Sequence, residues 1–313
     1  MPTLRKPHRI AVLCSDLHLS LLQPACRADD DWLAVQEGYL YQLKDAAQLD
    51  RNPLPIICAG DIFDRWAAQP ELINFALNHL PDGMLCVPGQ HDLPNHRIDQ
   101  QHRSGYGVLV NAEKIVDIFQ DHYINPRNAY DKTDGLMLYA AGWGQDIPRP
   151  EKGFNGVNLA VVHRYCWKQG KSYPGAPEEN NVSAYVKELK GYHAAVFGDN
   201  HKGFVATAGK CNVINTGGFI RRKSDEMEYR PRVGILYSDG TIKCKFLDTS
   251  EDKFHETEAD RPEVEFNMSD FLVGLEELGE HGLNFREAVE NHLRTEDICE
   301  RTKGIILSSL DHE

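Results

Sequence analysis

The 313-residue chain carries 41% hydrophobic and 26% charged residues, the usage of a folded protein rather than a disordered one, with room for one large domain plus an appendage at roughly 100–200 residues per domain. No apolar run approaches the roughly 20 residues of a membrane helix, and the short run Ile10–Ser15 is too brief for the core of a signal peptide, so a cytoplasmic, non-membrane protein is expected. The net charge of −13 sits in the tail, where residues 251–313 hold 18 acidic and 6 basic side chains against 29 and 28 in residues 1–250, so the acidic balance does not exclude nucleic acid from the body.

Short apolar runs alternate with helical spacing. Arg9–Cys14 reads as a buried strand, and Asp29–Leu49, with apolar residues at Trp32, Val35, Tyr39, Leu40 and Leu43, as a helix. Leu54–Ala59 is a second strand, Glu71–Leu80 a helix and Met84–Val87 a third strand. Further strands are predicted at Leu136–Ala141, Val157–His163, Ala194–Phe197, Val213–Asn215, Val233–Tyr237 and Ile242–Phe246. The last two are joined by the turn Ser238-Asp239-Gly240-Thr241. Asn180–Leu189 is predicted helical, while Pro148–Gly156 and Gln169–Asn181 are loops. Continuous apolar strands separated by helices imply an α/β fold with the sheet covered on both faces. Composition shifts near Thr249, dividing the chain into a 1–249 body and a 250–313 appendage. The appendage comprises a polar linker Ser250–Glu265 and two helices within 269–303 that either dock a partner or pack on their own body. The eight cysteines include no C-x-x-C pair, which argues for reduced thiols and against a disulfide framework or zinc ribbon.

The chemistry lies where the predicted strands end. Asp16-Leu17-His18 follows the first strand, Gly60-Asp61-Ile62-Phe63-Asp64 the second and Gly89-Gln90-His91-Asp92 the third. His163 ends the Val157 strand, and Gly198-Asp199-Asn200-His201 follows the Ala194 strand. Sites in open α/β sheets assemble at carboxyl ends of strands. Carboxylate, imidazole and amide oxygen without thiolate suit Mn²⁺, Fe²⁺ or Zn²⁺ in a catalytic rather than a structural site. Each cluster alone is a weak signal, and a lone buried histidine is more often a core residue. Five in this order are hard to obtain by chance.

That series resembles the signature of the calcineurin-like metallophosphoesterases over about residues 9–247. The segments CSDLHLS, ICAGDIFDR, CVPGQHDLPNH and INTGGFIRRKSDE are most similar to the SbcD/Mre-type double-strand-break repair nucleases, especially short phage-encoded ones. The resemblance implies a four-layer α/β/β/α metallophosphoesterase sandwich with a short acidic, mainly helical C-terminal appendage. It implies two divalent ions, with Mn²⁺ expected and Mg²⁺ or Fe²⁺ as alternatives. Asp16, His18 and His201 would bind the first ion, Asp61 would bridge, and Gln90, His163 and Asp199 would bind the second. His91 would contact the phosphate and protonate the leaving oxygen. Asp64 and Asp92 would orient ligands or the catalytic histidine, with a helix N-terminal role for Asp64 as the alternative. The family's usual residues are Asn at position 90 and His at position 199. Gln90 and Asp199 keep oxygen donors and shift the preference towards Mn²⁺ or Mg²⁺.

Candidate substrate-binding residues are Arg97 and Arg103, with His102, after the third cluster, and Arg221 and Arg222, with Lys223, Arg230 and Arg232, after the last. These could track a phosphate backbone, or form a solvated face with Asp225, Glu226 and Glu228. Tyr165, Trp167 and Tyr173 could stack on a base or anchor a loop. The expected partners are DNA, an SbcC-type coiled-coil ATPase and a second copy of the chain. The rival functions are a small-substrate phosphomonoesterase or nucleotide phosphodiesterase, and a metal-bound scaffold without catalysis.

Overall fold

The computed structural model describes residues 6–48, 53–118, 122–124 and 135–255. Two mixed sheets of six strands run in the orders β12-β11-β1-β2-β3-β4 and β5-β6-β7-β8-β10-β9. The first contains β1 (Arg9–Cys14), β2 (Ile56–Cys58), β3 (Met84–Cys86), β4 (Ile115–Asp117), β11 (Arg232–Tyr237) and β12 (Ile242–Phe246). The second contains β5 (His122–Ile124), β6 (Leu136–Ala141), β7 (Val157–Val162), β8 (Ala194–Phe197), β9 (Phe204–Ala208) and β10 (Cys211–Asn215).

The alternation along β1 explains the layering. Ala11 and Leu13 face the second sheet, in a core with Leu138, Leu159, Val161, Val196 and Ile214. Val12 and Cys14 face the other way, onto Leu40, Leu43, Leu72 and Tyr106 of the helices α1 (Trp32–Ala47), α2 (Pro70–His79) and α3 (Gly105–Asn111). Successive side chains of a strand point to opposite faces, so a strand sandwiched between two layers is apolar throughout. The outer face of the second sheet carries Tyr139, Val162, Phe197 and Val213, covered by Tyr185, Leu189 and Tyr192 from turns and short 3-10 helices. The helix starts follow from local chemistry. The Asp31 side chain accepts the Ala34 amide ahead of α1, and Pro70, whose missing N–H costs nothing there, opens α2.

Register aligns the strand ends. Cys14 lies opposite Cys58, and Cys58 opposite Cys86. In the second sheet Ala141 lies opposite Val162, Val162 opposite Phe197, and Phe197 opposite Asn215. The loops that follow these strands therefore leave at one level, on one edge of the sandwich.

Several elements differ from the expectation. Asn180–Leu189 is not an α-helix. The Val182 amide is taken by the Trp167 carbonyl and the Trp167 amide by the Asn180 carbonyl, and the Asn181 side chain caps Ser183, so the helix's own bonding partners are diverted. What remains is the 3-10 turn Ala184–Val186. Strands β4, β5 and β9 and helix α3 have no counterpart among the predicted elements. Of the expected linker Ser250–Glu265, the described part is packed on the body: the Ala28 amide donates to the Lys253 carbonyl and the His255 amide to the Cys26 carbonyl, and the rest lies outside the described residues. The two helices expected within 269–303 lie outside the described residues. The seven described cysteines are free thiols, and among the described residues no helix is long and apolar enough to cross a membrane.

Residues 250–255 are held by Arg27, whose side chain is fully buried. Its Nε and Nη2 bond the two Asp29 carboxylate oxygens at 2.6 and 2.9 Å, Nη2 lies 3.1 Å from Asp252, and Nη1 donates to the Arg221 carbonyl at 3.0 Å. The guanidinium sits between the rings of Trp32 and Phe254, 5.3 and 4.8 Å from their centroids. A buried charge left without its counterpart is costly. Arg27→Ala should therefore lower the unfolding free energy by about 3–5 kcal/mol, measured by urea denaturation.

Candidate metal centre

The aligned loops are sharply bent. Asp16, His18, Asp61 and Asp199 adopt φ of 54°, 45°, 57° and 76°, in the left-handed region that non-glycine residues seldom visit. Such strain persists only where the surroundings over-determine it, and it clusters at functional sites. The loops also press together. A Cβ on Gly89 would fall 2.0 Å from Asp61 Oδ1, and one on Gly60, at φ +93°, would fall 2.2 Å from His163 Nδ1. Only glycine lets the second loop, the third loop and His163 approach so closely.

Two clusters share the Asp16 carboxylate. In the first, His18 Nε2 and His201 Nε2 point at each other across 3.0 Å, with Asp16 Oδ1 3.9 Å from His201. In the second, Asp61 Oδ2 lies 3.4 Å from His163 Nε2, with Asp16 in the same group. Asp61 Oδ2 is also 3.6 Å from His18 Nε2, so Asp61 stands between the clusters. It is fully buried, yet its Oδ2 accepts no hydrogen bond. An orphaned buried carboxylate oxygen ringed by imidazole nitrogens is costly without a cation and fits a divalent ion well. Gln90 completes the second cluster. Its amide donates to Asp199 Oδ1 at 2.8 Å, and its Oε1 meets His163 Nε2 at 2.5 Å. The seven residues Asp16, His18, Asp61, Gln90, His163, Asp199 and His201 are thereby brought together.

The electrostatics follow. Burial pushes the Asp16 carboxyl well above its usual range, against the pull of His163, and the neighbouring Asp61 charge adds to the push. Asp61, despite burial, is held below the usual range by His163, His91 and His18. Burial lowers the pKa of His18 and His201, favouring the neutral rings that ligate metals. Burial opposes a charge on His163 too, but Asp61, Asp16 and Asp199 hold its proton and raise its pKa well above normal. Its Nδ1 meets the Ala59 carbonyl at 2.5 Å, which aims Nε2 into the cluster.

His91 stands at the rim, 4.8 Å ring to ring from His18. Its Nδ1 donates to the main-chain carbonyl of Asp64 at 2.8 Å, and its amide donates to Asp61 Oδ1 at 3.1 Å. The Asp64 main chain thus helps to orient the ring. The Asp64 carboxylate turns instead to Arg222 Nη1 at 2.6 Å and lies 3.6 Å from His18 Nδ1, a buried nitrogen with no hydrogen bond. Burial works against the Asp64 charge, but Arg222 and His18 hold its pKa well below normal. Asp64 is no helix cap, because α2 begins at Pro70. Asp92 is fully buried and accepts the amides of Ile62, Phe63 and Gly89, so it orients the two loops and not the histidine. Burial and the Asp61 charge push its pKa up to about 7 against those amides.

The expected substrate-binding arginines divide. Arg222 reaches the centre. Arg221 does not. It is buried and committed to Asp252 and to the carbonyls of Met227 and Thr249, which corrects its assignment to the substrate surface. Arg97 is paired with Asp99 and Arg103 with Gln100, both on the surface. Of the two roles open to Tyr165 and Trp167, the structure favours loop anchoring: both are buried, Tyr165 accepting the Tyr173 amide and Trp167 donating to the Pro177 carbonyl.

Four contributors escaped the sequence reading. Ser15 Oγ donates to Asp16 Oδ2 at 2.5 Å and contacts Thr216 at 2.7 Å. Asn200 binds the Cys166 and Lys171 carbonyls. The Trp143 ring stands 6.3 Å from His163. Ser15, Asn200 and Thr216 lie inside the motif segments but carry no ligand role there; Trp143 lies outside all of them.

Residues 11–203 match the family model described as calcineurin-like phosphoesterase. No curated protein matches the chain. Among solved structures, a sulfate thiohydrolase SoxB from Thermus thermophilus, in complex with glycerol, is 11% identical with a TM-score of 0.45. The alignment covers 89% of this chain and 62% of that one, so this chain spans less than two thirds of its length. An archaeal phosphodiesterase is 13% identical with a TM-score of 0.38, over 76% of this chain and 99% of that one. A 5'-nucleotidase assignment from Staphylococcus aureus, in complex with alpha-ketoglutarate, is 11% identical with a TM-score of 0.45, over 86% and 58%.

Arg222 holds the Asp64 carboxylate 3.6 Å from the second nitrogen of His18, where its charge acts on that ring. Arg222→Gln should weaken binding at the first cluster by about tenfold, read by calorimetric Mn²⁺ titration. Because His163 must lose its raised-pKa proton to ligate, Mn²⁺ binding should release protons and tighten as pH rises towards the raised pKa of His163. Calorimetry in buffers of different ionisation enthalpy checks that sign.

Proposed function

The chain belongs to the calcineurin-like phosphoesterase family, and from that premise we propose that it is a divalent-metal-dependent phosphodiester hydrolase acting on DNA. The observation that carries the hydrolase reading is the buried Asp61 carboxylate, whose Oδ2 lacks a hydrogen bond between two histidine-containing clusters. Asp16, His18, Asp61 and His201 would hold one ion, and Asp61, Gln90, His163 and Asp199 the other. Bound there, divalent ions supply positive charge to the phosphoryl oxygens and lower the pKa of an attacking water.

This chain's own residues do the rest. Asp61 fixes the spacing of the two clusters and, through its Oδ1, holds the His91 backbone. The Asp64 carbonyl engages His91 Nδ1–H, which assigns the transferable proton to Nε2. His91 Nε2 gives that proton to the departing oxygen as general acid. The rim position of His91 lets it meet a phosphate approaching from solvent. DNA as substrate is supported by the likeness of the four motif segments to SbcD/Mre-type nucleases and by the cationic Arg222 and Lys223 beside the centre. An SbcC-type ATPase and a second copy of the chain are proposed partners on the same ground.

The test is purified protein with Mn²⁺, offered linear duplex DNA, single-stranded DNA, cyclic nucleotides and p-nitrophenyl phosphate. DNA hydrolysis that disappears in Asp61→Asn is expected. Activity confined to the small esters would overturn the DNA reading. His91→Ala should lower kcat by about 10²–10⁴-fold with metal content unchanged by elemental analysis. Loss of metal in that variant would make His91 a ligand.

A further inference from the structure

Three consecutive residues beyond the last histidine loop point three ways. Arg221 enters the body, Arg222 reaches Asp64, and Lys223 extends over the ring of Tyr173, with its Nζ 5.8 Å from the centroid. Lys202, the residue after His201, lies over the same ring at 4.5 Å and donates to the Ser172 carbonyl at 3.0 Å. One half-exposed aromatic ring thus gathers two ammonium groups from separate stretches of chain.

The patch is fastened to the metal centre. Asn200 lies between Asp199 and His201 and is fully buried. Its amide donates to the carbonyls of Cys166 and Lys171 at 2.8 and 2.9 Å, tying the loop that bears Tyr173 to the segment that bears two of the clustered residues. The Tyr173 amide in turn donates to Tyr165 Oη at 2.9 Å.

Such an arrangement is costly without a counter-charge. Two ammonium groups held over one ring repel each other. The Glu226 carboxylate is engaged by the amides of Arg222 and Lys223. An anion spanning the two ammonium groups relieves their repulsion, and a flat π-face beside them suits a base.

We propose that Lys202, Lys223 and Tyr173 form a phosphate-binding lip on the His201 side of the metal centre, which holds the backbone of a nucleic-acid strand next to the phosphate undergoing hydrolysis. This rests on the DNA reading above and deepens it by assigning the strand a path. Lys202 and Lys223 take backbone phosphates, and the Tyr173 ring packs against a neighbouring base.

The test separates the lip from the DNA reading itself. Binding of a fluorescent oligonucleotide is measured by anisotropy in EDTA over a series of salt concentrations. Removing one ammonium that neutralises a phosphate should make the slope of log K against log salt shallower by about 0.7–0.9. In the Lys202→Gln/Lys223→Gln protein the slope is therefore expected to flatten by about twice that amount, with binding about tenfold or more weaker at low salt. Lys223→Gln alone should flatten it half as much, which keeps the measurement decisive if the double variant folds poorly. Lys202→Arg/Lys223→Arg should keep the wild-type slope. With Mn²⁺, kcat/KM for DNA should fall further than kcat/KM for bis-p-nitrophenyl phosphate. An unchanged slope in the glutamine variants, or equal falls on both substrates, would overturn the lip alone. Wild-type protein with no salt-dependent affinity for DNA would overturn the lip and the DNA reading together.

Discussion

A buried carboxylate that has too few partners organises this molecule. Asp61 is closed off from water between the edges of two sheets, and one of its oxygens accepts no hydrogen bond. Burying an ionised group without compensation costs several kcal/mol. The surroundings answer that cost from two directions. His163, His91 and His18 crowd the carboxylate and keep it ionised, while Asp16 beside it is driven towards neutrality. A charge distribution so poised is what two cations would complete, and the register of both sheets exists to deliver the loops that build it. Cys14, Cys58 and Cys86 stand abreast in one sheet, and Val162, Phe197 and Asn215 in the other.

Much of this could be read before any coordinates. The runs at 9–14, 54–59, 84–87, 136–141, 157–163 and 194–197 are apolar because strands between two covered faces must be, and six of the strands lie where that signal is strongest. The clusters directly after them could be read for the same reason: motif and strand are contiguous. What escaped was carried by tertiary contacts. β4 and β5 are three residues each, too short for a period, and β9 alternates buried with exposed residues beside the single partner β10. Asn180–Leu189 has helical spacing, but its amides are claimed by the Trp167 strand bridge. Arg221 and Arg222 are chemically alike and adjacent, and only the packing sends one into the body and the other to Asp64. A group that helps to orient His91 is a peptide carbonyl, which leaves no trace in a sequence.

The second cluster shows how a site can alter its donors while keeping its shape. Gln90 spans from His163 to Asp199, with its oxygen towards one and its amide towards the other. Its extra methylene relative to asparagine is used to make that span. Asp199 brings a charge where the likeness to the family leads one to expect an imidazole, and it also donates its own amide to Asp16 at 2.8 Å. The two clusters are therefore coupled through the main chain as well as through Asp61, and a change at one is felt at the other.

The left-handed bends have a consequence for how this centre can vary. Asp16, His18, Asp61 and Asp199 occupy a conformation that asparagine, aspartate, histidine and glycine tolerate and branched side chains resist. Gln90 sits in a 3-10 turn with no such restriction. The backbone thereby writes a different alphabet for each position, narrow at 16, 18, 61 and 199 and broad at 90. Aspartate at 199 stays inside the narrow alphabet, and the lengthened amide at 90 falls, like His163 and His201, where the main chain is permissive. Substitution is therefore less restricted by the backbone at position 90 than at the bends.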